Sequence, residues 1–91
     1  GKYSHFSNRM FWRHMDTLGK RLRDARVNRG MTQLQLRDAM AEVGKDIDVS
    51  FVALMETDRS KPGIDTLAAL SSVLGVSADY LLDIPAVHNA S

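Results

Sequence analysis

Few side chains in this sequence are typed and spaced to do chemistry. The three histidines, His5, His14 and His88, lie in the terminal segments, and none is spaced from a carboxylate as a metal pair or an acid–base pair requires. There is no cysteine, which removes thiolate nucleophiles, thiolate metal sites and disulfides, and which fits a reducing compartment. The six glycines stand mostly at the ends of apolar-periodic stretches, not in a phosphate-cradling run. Ser50, Ser60, Ser71, Ser72 and Ser77 stand where caps and surface positions belong. The expectation is no catalysis, no metal site and no cofactor. What remains is cationic. The net charge is only +1, yet residues 1–31 carry eight basic and two acidic side chains, a net of +6, whereas residues 32–91 carry four basic and nine acidic, a net of −5. A basic half points to a polyanionic partner, although a solvated helix face gives the same composition.

The elements that must position these charges read as helices. Leu18, Leu22, Ala25 and Arg29 recur at helical spacing with basic residues between them, so the pattern predicts a first helix over about 17–29, capped by Asp16 or Thr17 and ended by Gly30. Thr32 stands as the cap of a second helix whose apolar face is Leu36, Ala39, Met40 and Val43, with Gly44 closing it. Asp48 can cap a third helix, about 49–57, with Ile47 and Val52 placed as a hydrophobic staple and Val52 and Met55 facing inward. The run Asp58–Gly63 is a loop by composition. A fourth helix, about 65–74, buries Leu67, Leu70, Val73 and Leu74, and a short fifth, 78–83, starts at Ser77 and cannot pass Pro85. There are no strand-like alternations and no repeats. The fold class is all-α: one compact bundle of about five short helices. No apolar run approaches the roughly 18 residues of a membrane span, and the start lacks the apolar core of a signal peptide.

The order of these pieces resembles the Cro/CI-like, XRE-type helix-turn-helix domains of phage and bacterial repressors, the lambda-repressor-like fold. The strings that carry it are LGKRLRDARVNRGMTQLQL and VALMETDRSKPGIDTLAALSSVLGVSADYLL, and it covers about Leu18 to Asp83. The resemblance implies that the second and third helices form the helix-turn-helix and that the third lies in the major groove of double-stranded DNA. It implies a repressor-type transcription regulator in a bacterial or phage-encoded cytoplasmic setting. It also implies phosphate contacts from Thr32 and Gln33 at the start of the second helix, where free N–H groups and the helix dipole favour an anion. Arg26 and Glu56 match a pair that forms a structural salt bridge in this family, a role for which the guanidinium fork is suited.

The register against Glu56 places Val49, Ser50, Ala53 and Leu54 on the solvent face of the third helix as candidate base contacts, with Lys45, Arg59 and Lys61 flanking it as phosphate contacts. Of the four, only Ser50 hydrogen-bonds through its side chain, and the others could touch thymine methyls. Asp46, Asp48 and Asp58 stand close by and would repel phosphate. Three departures from the family pattern stand out: extra residues in Val43–Asp48, Arg37 where a small residue is usual, and Asp58 in place of the usual glycine after the glutamate.

Two further expectations concern partners. The resemblance implies a homodimer, and Tyr80, Leu82 and Ile84 are the first candidates for its surface, although they could equally complete the core. An apolar third helix beside acidic residues also fits a protein partner, with Val49, Phe51 and Leu54 buried against it. The domain is expected over 15–84, with 85–91 a linker or tail. Residues 1–14 are read as a leader before Met15, an extension of the first helix over Phe11 and Trp12, or a basic arm.

Overall fold

A computed structural model describes residues 16–83 as five helices: α1 (Leu18–Asn28), α2 (Gln33–Glu42), α3 (Val49–Glu56), α4 (Ile64–Leu74) and α5 (Ala78–Leu82). No strand occurs among the described residues. The readings made for residues 1–14, Ile84 and the tail 85–91 lie outside them.

Each helix begins where local chemistry supplies a start. Thr17 caps α1 by accepting from the Lys20 amide. Thr32 and Gln35 form a reciprocal capping box at α2, the Thr32 hydroxyl accepting from the Gln35 amide at 3.0 Å and the Gln35 side chain accepting from the Thr32 amide at 2.8 Å. Ser77 accepts from the Tyr80 amide at α5. Asp48 occupies the cap position of α3, but its side chain makes no capping bond.

The core is built from one or two positions per helix: Leu22 and Ala25 of α1, Leu36 and Met40 of α2, Val52 and Met55 of α3, Leu70 and Leu74 of α4, and Leu81 of α5. Leu18, Ile47, Phe51, Leu67 and Val73 pack against it from the margin. The periodic faces are therefore where the sequence places them, but Val43 turns out to solvent and α5 buries Leu81 while leaving Tyr80 and Leu82 exposed. α1 rests on α3 and α5, α2 on α3 and α4, and α4 on α5.

The approach of α1 to α3 depends on one glycine. A Cβ at Gly19 would lie 2.5 Å from the Met55 carbonyl oxygen and 2.7 Å from that of Glu56, both backbone atoms that cannot swing aside. The extra residues between α2 and α3 lengthen the turn, not the helix. Gly44 (φ 85°) reverses the chain in the left-handed region, the Lys45 amide closes onto the Met40 carbonyl at 2.9 Å, and residues 45–48 run without helix to the start of α3.

Candidate nucleic-acid interface

α1, α2 and α3 are tied together by one buried polar network. Arg26 donates from Nε to Glu56 Oε2 at 2.6 Å and from Nη2 to Glu56 Oε1 at 3.0 Å, the two-pronged geometry that guanidinium and carboxylate share. Its remaining nitrogen, Nη1, donates to the Met31 carbonyl at 2.7 Å, holding the turn between α1 and α2. Gln33 donates from Nε2 to Glu56 Oε1 at 3.1 Å, tying the first turn of α2 to the last turn of α3. The two charged side chains are 10% and 3% exposed, so solvent screens them little. The hydrogen bond to Glu56 raises the Arg26 pKa above its ordinary value; burial opposes this and the charge of Glu56 adds to it. The salt bridge expected from Arg26 and Glu56 is thus present, and Gln33 belongs to the same network.

A second brace comes from Asp58. This residue takes the left-handed conformation (φ 61°), which a glycine adopts at lower cost. Its carboxylate accepts from the Thr17 hydroxyl at 2.5 Å and from the Gly19 amide at 2.9 Å. A residue that follows α3 therefore caps the start of α1, and its negative charge meets the positive end of that helix dipole. Sequence reading placed Asp58 as a phosphate-repelling neighbour; the structure gives it internal donors.

Arg21 is a third structural cation. It pairs with Asp16 and with Asp83 Oδ1 at 3.3 Å, donates to the Tyr80 carbonyl at 3.0 Å, and lies 5.6 Å from the centre of the Tyr80 ring. It joins the start of α1 to the end of α5, where Asp83 is also left-handed. No local spacing in the sequence announces the link to α5, because those partners lie about sixty residues downstream. Lys20 bonds Asp24, and Arg37 turns outward onto Asp38. Among the described basic residues of the first half, Lys20, Arg21 and Arg26 are therefore engaged within the chain. The cations without an ion-pair partner among the described residues are Arg23, Arg29, Lys45, Arg59 and Lys61.

With its inner side held, α3 presents its outer side to solvent. Ser50 and Leu54 are exposed, and Val49 and Ala53 are half-buried on the flank. Nothing among the described residues covers this face. Thr57 extends it by one turn, but its hydroxyl is directed back onto the Ala53 and Leu54 carbonyls. Lys45 is half-buried in the turn before α3, and Arg59 and Lys61 stand exposed in the loop after it. At the start of α2 the capping box leaves the amides of Gln33 and Leu34 without an acceptor among the described residues. The Gln33 amide nitrogen keeps a second proton beyond the one given to Glu56. On the other flank of α3, Arg37, Asp38, Asp46, Ile47, Asp48 and Phe51 line an open concavity.

A bidentate brace between α1 and α3, a capped α2 and an uncovered α3 describe a helix-turn-helix. The helix-turn-helix family model HTH_3 matches residues 22–81. The chain belongs to this family. It is 38% identical over 66 residues to the HTH-type transcriptional regulator ImmR of Bacillus subtilis (strain 168), a match that covers 72% of this chain and 48% of that protein. The chain thus spans about half the length of this curated relative. No solved structure matches it. This helix-turn-helix chain has no helix among the described residues long and apolar enough to cross a membrane, and no cluster of metal-ligating side chains occurs among them.

Proposed function

We propose that this helix-turn-helix protein is a sequence-selective DNA-binding transcription regulator of the repressor type, acting as a homodimer. The observation that carries the reading is the uncovered face of α3, with Ser50 and Leu54 in solvent while Val52, Met55 and Glu56 anchor the opposite side. In this reading α3 enters the major groove, with Val49, Ser50, Ala53 and Leu54 against base edges. Thr32 and Gln33 at the start of α2, together with Lys45, Arg59 and Lys61, meet the phosphates. The name of the Bacillus relative supports the regulatory role. Tyr80 and Leu82, left exposed by α5, are the proposed contact between protomers.

The test is a titration of duplex DNA at several salt concentrations. Each phosphate contacted should add about −0.9 to the slope of log K against log salt. A protein-docking module is the second reading, favoured by the apolar Phe51, which lines one open concavity with Asp46 and Asp48. It requires a slope near zero and no selective protection of any DNA fragment, and that result would replace the DNA reading. Analytical ultracentrifugation tests the homodimer, which Leu82→Lys should dissociate.

A further inference from the structure

The chemistry of the α3 face limits what it can recognise. In the major groove both purines present the N7 acceptor; guanine adds a second acceptor at O6 and is read by the paired donors of arginine or lysine, while adenine adds an amino donor and is read by the donor–acceptor pair of asparagine or glutamine. The outward positions Val49, Ser50, Ala53 and Leu54, and Asp48 just before the helix, include none of these types. The Ser50 hydroxyl is the one side-chain donor among them, since that of Thr57 is held by backbone carbonyls. Pyrimidines present different groups at the same edge: cytosine an N4 amino donor, thymine a 5-methyl group.

Asp48 completes this pattern. It sits at the N-terminus of α3, exposed, with a carboxylate that makes neither a capping bond nor an ion pair among the described residues. An ionised carboxylate is an acceptor only. Facing phosphate it would only repel, whereas facing the cytosine amino group it accepts a charge-assisted bond. Adenine offers an amino donor too, but its N7 acceptor lies beside it and repels a carboxylate.

We infer that α3 reads pyrimidine edges, Asp48 accepting from the N4 amino group of cytosine while Val49, Ala53 and Leu54 pack against thymine methyl groups. This rests on the proposed DNA-binding role and names the base chemistry that role would use. The test starts from duplexes enriched by the full chain from a random pool, followed by single-atom edits of the enriched site. Replacing thymine by deoxyuridine removes the methyl alone and should weaken binding about fourfold at each contacted position. Asp48→Ala should lower the preference for cytosine over thymine at one position about tenfold, with thermal unfolding unchanged because no capping bond is lost. Selective binding that ignores both edits overturns the pyrimidine reading and leaves DNA binding standing. Failure to enrich any duplex overturns both.

Discussion

Replacing Glu56 by leucine strands Arg26 in a site where its side chain is 10% exposed and its only remaining acceptor among the described residues is the Met31 carbonyl. Removing one partner of a buried ion pair costs about 3–5 kcal/mol, because the desolvation of the survivor is no longer compensated. Arg26→Met should cost a similar amount, leaving the Glu56 carboxylate with Gln33 as its one donor among the described residues. The double variant, with both charges replaced by apolar side chains of similar length, should recover most of the loss, within about 1 kcal/mol of the starting protein. A domain of this size loses about 4–8 °C of melting temperature per kcal/mol, so each single change should lower Tm by at least about 12 °C. Total stabilities of about 5–15 kcal/mol make urea unfolding at low temperature the safer assay for the singles. The raised Arg26 pKa gives the sign of its pH dependence: its contribution is complete below the unfolded value and is lost only as pH climbs through the arginine range, far above neutrality. The reasoning is refuted if either single change costs under about 1 kcal/mol, or if the double variant loses the sum of the two.

Gly19→Ala should destabilise by at least about 1–3 kcal/mol, seen as a lower urea midpoint, since the added methyl meets two backbone carbonyls of α3. At Asp58 the expected order of stability is wild type, then Asn, then Gly, then Ala. Asparagine keeps one acceptor and tolerates the left-handed backbone, glycine keeps only the backbone, and alanine keeps neither; an alanine variant equal to the glycine one would remove backbone strain from the account. Arg59→Ala and Lys61→Ala should each flatten the salt slope of DNA binding by about 1 unit without changing sequence preference. Amide hydrogen exchange should be faster over Asp46–Ser50 than over Val52–Glu56, and equal protection would show the turn to be as firmly held as the end of α3.

The helices were legible because their starts and their faces are local. Thr17, Thr32 and Ser77 cap where a hydroxyl precedes an apolar period, and Leu22, Leu36, Met40, Val52, Met55, Leu70, Leu74 and Leu81 fill the core at helical spacing. The Arg26–Glu56 pair was legible through the family resemblance, not through spacing. What stayed hidden was long-range and specific to this chain. The bonds from Asp58 to α1 and from Arg21 to α5 join residues 39–59 positions apart, and no window of sequence brings them together. For the same reason the +6 of the first 31 residues overstated its outward potential, since Arg21 and Arg26 are held by carboxylates from elsewhere in the chain.

α3 is held differently at its two ends, and this asymmetry bears on how the face would be used. Glu56 and the adjoining Asp58 hold its C-terminal end to α1 and α2 through ion-pair and capping bonds. Its N-terminal end is held by apolar packing of Ile47, Phe51 and Val52, without a side-chain cap and after a lengthened turn. Apolar contact is non-directional, so it fixes the position of the helix start less sharply than hydrogen bonds fix its end. Of the residues proposed to meet bases, Asp48, Val49 and Ser50 lie at the less constrained end and Ala53 and Leu54 nearer the anchored one. A face with one hydroxyl and several methyl-bearing side chains needs close contact more than fixed bond angles, because discrimination by packing falls off within a fraction of an ångström of separation. In the proposed complex, a start of α3 able to settle into the groove about its bonded C-terminal end would supply that contact, whereas a rigid start would suit bidentate amides or guanidinium groups, which this helix lacks.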